Sequence, residues 1–159
     1  MSEPIEYLIV RDVQAALQAA TVAGGYHYGI ALAAVKLDPN HEAEEMVAPD
    51  GPRPYVLIEV LPDAWQYAPS NDATLATKLN IHWVHETDPT RDEDLLRRYY
   101  RGCADVERAL MQDISRGGRA VDTRITSRAC GQETDGAQVW ATLTVEIHQV
   151  RTCGAPDGA

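Results

Sequence analysis

Two spacings of hydrophobic residues alternate along this chain and predict its elements. Over residues 4–22, Ile9, Val13, Ala16, Leu17 and Ala20 recur every three or four positions, the signature of one helical face. Pro4 suits the first helical position, Glu6 sits where the helix dipole favours a carboxylate, and Ala23-Gly24-Gly25 is the predicted stop. The period then becomes two. Strands are predicted over 30–37, over Tyr55–Leu61 with Val56, Ile58 and Val60 on one face, and over Thr74–Glu86. In the last of these, Leu75, Leu79, Ile81 and Trp83 oppose Lys78, Asn80 and His82.

Helical spacing returns from Arg91 to about Ser115. Leu96, Tyr99, Cys103, Val106, Leu110 and Ile114 make one stripe, with Arg97, Arg98, Arg101, Asp105 and Arg108 mostly off it. Thr90 with Glu93 fits a capping box, Asp92, Glu93 and Asp94 load the first turn, and Gly117-Gly118 is the predicted end. Two strands follow. Val121, Thr123 and Ile125 alternate with Asp122, Arg124 and Thr126; then Val139, Ala141, Leu143, Val145 and Ile147 alternate with Trp140, Thr142, Thr144, Glu146 and His148. Between them, Asp135-Gly136 is a hairpin turn dipeptide.

The order α-β-β-β-α-β-β predicts one α+β domain over residues 1–151, with an antiparallel sheet of about five strands and both helices on one face. Residues 38–54 break the pattern with Pro39, Pro49, Pro52 and Pro54 and the acids Asp38, Glu42, Glu44, Glu45 and Asp50, predicting an exposed acidic loop. Pro62–Asn71, holding Trp65 and Tyr67, reads as irregular, and residues 152–159 as a flexible tail.

Composition narrows the function. A chain of 159 residues supports one core, and no apolar run approaches the roughly 18 residues of a membrane span. The acidic start gives no expectation of a secretory signal. Cys103, Cys130 and Cys153 are odd in number and far apart, which points to a reducing compartment rather than a disulfide framework. The net charge of −10 is uneven. Residues 1–90 hold 13 acidic and 4 basic side chains (net −9), residues 91–128 hold 9 basic and 7 acidic (net +2), and the remainder is net −3. That balance argues against tight nucleic-acid binding but suits a surface past which DNA moves.

Catalytic motifs are wanting. His41-Glu42-Ala43-Glu44-Glu45 lacks the second histidine of a zinc HExxH site. Glu42, Glu44 and Glu45 lack the ligand spacing and pivot glycine of a calcium loop. His82 and His85 fall on opposite strand faces, and His27 has no titratable companion beside Tyr26 and Tyr28. Cys103 belongs to the helix's apolar face, and Gly117-Gly118 precedes a strand, the wrong order for a dinucleotide fingerprint. No catalytic, cofactor or metal site is expected. Arg116, Arg119, Arg124 and Arg128 surround the end of the second helix and the next strand, where alternation puts Arg124 and Arg128 on one face with Asp122 and Thr126. They read either as a solvated sheet face or as a basic patch meeting the acidic upstream half of a neighbouring copy, head to tail.

A short helix ending in Gly-Gly, the strand Pro54-Tyr55-Val56-Leu57-Ile58-Glu59-Val60 after a Pro-rich loop, a long helix, and the run from Arg116 to Ile125 closed by a long hairpin resemble small tail proteins of long-tailed bacteriophages. The similarity is to the tail terminator family, also called tail completion or tail-to-head joining proteins, and spans almost the whole chain by element order and loop placement. It implies a non-enzymatic virion protein at the neck end of the tail, assembled in the host cytoplasm. Such a protein forms a ring, usually of six copies, that caps the tail tube and meets the head-side connector while DNA passes through the lumen. On that reading Glu42, Glu44, Glu45, Met46, Trp65, Tyr67, Arg116, Arg119, Arg124 and Arg128 are the expected contacts with other copies or with the major tail tube protein. A head-side connector or stopper of the same virion is a near alternative. An enzyme or small-ligand binder, with Trp65, Tyr67, His82 and His27 under the 38–54 loop, is a distant one. An acidic DNA mimic ranks last, because the acids form no regular array.

Overall fold

A computed structural model describes residues 3–36, 51–67, 72–86, 94–132 and 138–152. Helix α1 spans Ile5–Gln18, with Pro4 at its N-cap, and buries Ile9, Val13 and Leu17. It ends before the predicted Val22, and a short 3-10 turn, Val22–Gly24, follows. The strands are β1 (Leu32–Val35), β2 (Tyr55–Val60), β3 (Ala64–Tyr67), β4 (Asp72–Glu86), β5 (Asp122–Gln132) and β6 (Gln138–Thr152), with helix α2 (Leu95–Met111) between β4 and β5. The sheet is five strands wide in the order β1-β2-β4-β6-β5. β3 continues along the β4 edge where β2 leaves off: β2 pairs with Leu79–Val84 of β4, and β3 pairs with Ala73–Ala76. The α+β class, the two helices and the width match the sequence reading.

Four expectations need correction. β1 and β2 run parallel, Leu32 opposite Tyr55 and Val35 opposite Ile58, so the sheet is mixed. The long connection through residues 36–54 gives the chain length to return to the starting end, as a parallel pair requires. Trp65 and Tyr67 lie in strand β3 rather than in an irregular stretch, because the long β4 offers an edge on which four residues pair. Helix α2 is shorter than 91–115. Asp94 is its N-cap, with Oδ1 accepting the Arg97 amide at 2.7 Å, and Leu96, in the first turn, is 64% exposed rather than in the stripe. Ile114 lies past the C-terminus and is 45% exposed. Gly117-Gly118 therefore shapes the turn into β5 instead of ending the helix; both have positive φ, as does Arg116 before them. Residues 90–93, the hairpin turn at 135–136 and residues 153–159 fall outside the described residues.

Both helices cover the same sheet face. Ile9, Val13 and Leu17 of α1 and Tyr99, Cys103, Val106 and Leu110 of α2 meet Val56 and Ile58, Leu79, Ile81 and Trp83, and the odd-numbered positions Val139 to Ile147 of β6. Each such large side chain, fully removed from water, stabilises by about 1.5–3 kcal/mol. The close approach of α2 depends on Gly102: a Cβ there would lie 2.5 Å from Cη2 and Cζ2 of Trp83.

The fourth correction concerns β5. A bulge between Ile125 and Ser127 leaves Thr126 without a partner across the strand. Before it, Thr123 and Ile125 oppose Ile147 and Val145 of the core face; after it, Arg128 opposes Leu143 and Cys130 opposes Ala141. Arg124 and Arg128 are thus on opposite faces, not on the shared face that simple alternation predicts. Gly131 lies opposite Trp140, whose indole ring occupies the space a side chain would need.

Candidate functional site

The predicted basic patch is not assembled. Arg116 is 1% exposed, with NH1 3.2 Å from Asp12 Oδ2 and NH2 donating to the Leu110 carbonyl, so it locks the α2 exit against α1. Arg128 reaches under the helix to Glu107 Oε1 at 2.9 Å. Arg124 holds Asp122 at 2.5 Å on the other sheet face. Arg119 is exposed and donates to the Arg116 carbonyl within its own turn. Glu42, Glu44, Glu45 and Met46 lie outside the described residues, and Trp65 and Tyr67 are described only by their register opposite Leu75 and Ala73.

The ligand-pocket set does not converge either. His27 lies beside the outer side of α2, whereas His82 projects from the uncovered sheet face, where it contacts Glu59 and Thr142. His85 turns the other way, toward Tyr28 and Trp83. Burial pushes the Cys103 thiol up, and the Tyr99 hydroxyl is its hydrogen-bond partner, as suits a core thiol rather than a nucleophile. Among the described residues, no cluster of three or more His, Cys, Asp or Glu is placed to hold a metal ion. No described helix is long and apolar enough to cross a membrane.

Two surfaces remain. The first is the sheet face that the helices leave open. Its central residues form ladders across the strands. Lys36 Nζ is 3.2 Å from Glu59 Oε1, whose other oxygen is 2.8 Å from His82 Nε2; His82 Nδ1 is in turn 2.9 Å from Thr142 Oγ1. With the proton on Nε2, the ring donates to Glu59 and accepts from the threonine hydroxyl. The His82 hydrogen bond, and after it the one from Lys36, hold the Glu59 carboxyl below its ordinary value. Thr144 donates to Asn80 at 3.0 Å, Lys78 lies 3.6 Å from Glu146, and His148 lies 3.3 Å from the same carboxylate. Arg124, by its hydrogen bond, lowers the Asp122 carboxyl. Lys36, Lys78 and Arg124 each have one of the carboxylates Glu59, Glu146 and Asp122 beside them. Exposed pairs of this kind contribute little stability, but each sets a carboxylate against its cation.

The second surface lies at the start of α2. Leu96 and Tyr100, one turn apart and 64% and 52% exposed, line a groove of about 480 Å³ with Ala104, Arg97, Arg101, Asp94 and His27. The loop bearing His27 is fastened to the helix. Asp105, 1% exposed, accepts the backbone amides of His27 at 2.7 Å on one oxygen and of Tyr28 and Gly29 at 2.8 and 3.2 Å on the other. Arg108 donates to the Gly25 carbonyl at 2.5 Å while stacking on the Tyr26 ring, and Gln112 donates to the Tyr26 hydroxyl at 3.0 Å. Sequence reasoning missed this groove. Helical periodicity put Leu96 in the core and Asp105 off it, and nothing local to residue 105 signals partners almost eighty positions upstream. Comparison of the chain with models of protein families and with curated proteins finds no match in either.

Proposed function

We propose that this chain is a structural virion protein that forms a ring capping a phage tail tube and joining it to the head-side connector, with DNA passing through the lumen. The observation that carries the reading is the sheet face that the helices leave open, where Lys36, Lys78 and Arg124 each lie against a carboxylate, Glu59, Glu146 or Asp122, and His82 joins Glu59 to Thr142. Phosphate binding draws its free energy from cations that release counterions, and a cation already matched by a carboxylate has little of that to offer. A polar face of this kind lets a polyanion pass without holding it. The element order and the long connection between β1 and β2 support the same reading, as does the division of charge between the acidic first 90 residues and the basic segment that follows. Rings close through heterologous contacts, which need two different and complementary surfaces on each copy. Negative-stain electron microscopy of the purified full chain tests the proposal, alone and with tail tube protein. The expected result is a ring with an open centre that binds one end of the tube. Monomers only, by native mass spectrometry with tube protein present, would overturn it.

A further inference from the structure

Two of the three cysteines come together at the seam between α2 and β5, the last strand of the sheet. The bulge at Thr126 turns Arg128 and Cys130 toward the helix, where Arg128 NH1 is 2.9 Å from Glu107 Oε1. That ion pair fixes the register of strand against helix. β4 and β5 are both antiparallel to β6, so α2, which returns the chain between them, runs opposite to β5. Cys103 lies one turn before Glu107, about 6 Å back along the helix, and Cys130 lies two residues after Arg128, about 7 Å on along the strand. Opposite chain directions make those two steps lead to the same place. A charge on Cys130 accordingly opposes ionisation of the Cys103 thiol and of the Tyr99 hydroxyl one turn further back. We infer that Cys103 and Cys130 form a dithiol that closes to a disulfide when an oxidant is supplied, fastening α2 to the edge strand.

The register also selects this pair among the three possible ones. Cys130 opposes Ala141, whereas Cys153 adjoins Thr152 at the far end of β6, roughly 35 Å away at the ordinary strand rise. A disulfide requires Cα atoms within about 7 Å, so Cys153 is out of reach of Cys130 in the same chain, and of Cys103 beside it. Exposure sets the order of events, since Cys130 is exposed and Cys103 is buried. With glutathione disulfide as oxidant, the Cys130 thiolate attacks one of its sulfurs, forming a mixed disulfide and releasing one glutathione. The Cys103 thiolate then attacks Cys130 Sγ and releases the second. Two protein thiols lose two protons and two electrons, and one glutathione disulfide becomes two glutathiones. Burial pushes the Cys103 thiol up, so the second step should quicken about tenfold per pH unit while that thiol remains protonated. The inference is independent of the ring reading.

Treating the full chain with glutathione disulfide tests it, followed by intact mass, peptide mapping without reductant and a thermal melt. The wild type should become lighter by two hydrogen atoms and yield a linked peptide pair containing Cys103 and Cys130. Its Tm should rise by roughly 4–16 °C over the reduced protein, as expected for a bridge closing a loop of this size. Cys130→Ser, altered at an exposed position, should melt like the reduced wild type and gain nothing on oxidation. In Cys103→Ser the glutathione adduct on Cys130 should persist, because the resolving thiol is gone. A lasting adduct on Cys130 in the wild type, two free thiols after treatment, or linkage of either residue to Cys153 overturns the pairing. A bridge that forms without raising Tm overturns the claim that it fastens the helix to the strand.

Discussion

Replacing Asp105 by asparagine should be among the most damaging isosteric changes in this protein. The carboxylate is buried and takes three backbone amides, one from His27 on Oδ1 and two, from Tyr28 and Gly29, on Oδ2. Asparagine keeps a single acceptor. Oriented to retain Tyr28 and Gly29, it turns its own NH2 toward the His27 amide, and a donor then faces a donor. One hydrogen bond to a charged acceptor is lost, at about 1.5–3 kcal/mol, and two others weaken to neutral strength at about 1 kcal/mol each. The sum is about 3.5–5 kcal/mol, a fall in Tm of roughly 7–20 °C for a chain of this size. Urea unfolding followed by circular dichroism measures the first quantity and a thermal melt the second. Amide hydrogen exchange at residues 27–29 separates local from global loss, and those three amides should be the most strongly deprotected in the variant. A destabilisation below about 1 kcal/mol, with exchange at 27–29 unchanged, would refute the claim that this carboxylate fastens the loop to α2.

Two further outcomes follow from the packing of the same helix. Gly102→Ala gains about 1 kcal/mol of helix propensity but drives a methyl group into the Trp83 ring, for which overpacking costs about 1–3 kcal/mol, so net destabilisation in denaturant titrations is expected. Adding Trp83→Phe should recover part of the Gly102→Ala effect in a double-mutant cycle; simple additivity would count against the contact. Burial, followed by the hydrogen bond with Cys103, pushes the Tyr99 hydroxyl up to about 12. The folded state therefore holds its proton where the unfolded chain releases it, and stability should fall as pH rises from 10.0 toward 12. Absorbance titration at alkaline pH should show a tyrosine step near 12 that is absent from Tyr99→Phe.

The sheet and its helical cover were legible because they depend on repeated patterns. Leu79, Ile81 and Trp83 of β4, and the odd positions of β6, alternate strictly over long strands, and a one-residue slip would expose them all. What escaped depends on single residues whose partners are remote. Leu96, in the first turn of α2, stays in water although its spacing matched the core. Arg116 has the composition of a surface residue, yet Asp12 and the Leu110 carbonyl take it into the interior. The parallel pairing of β1 with β2 follows from where residues 36–54 return the chain, which no local signal encodes.

Thr126 shows how far one residue can move a functional reading. Without the bulge, strict alternation would have placed Arg128 beside Arg124 on the uncovered sheet face. Glu107, its partner at 2.9 Å, belongs to α2 on the opposite side, so that face would have carried an unmatched cation of the kind that grips phosphate. The extra residue turns Arg128 under the helix and leaves Lys36, Lys78 and Arg124 against Glu59, Glu146 and Asp122. One extra residue in one strand therefore decides whether this sheet face carries an arginine with no carboxylate beside it.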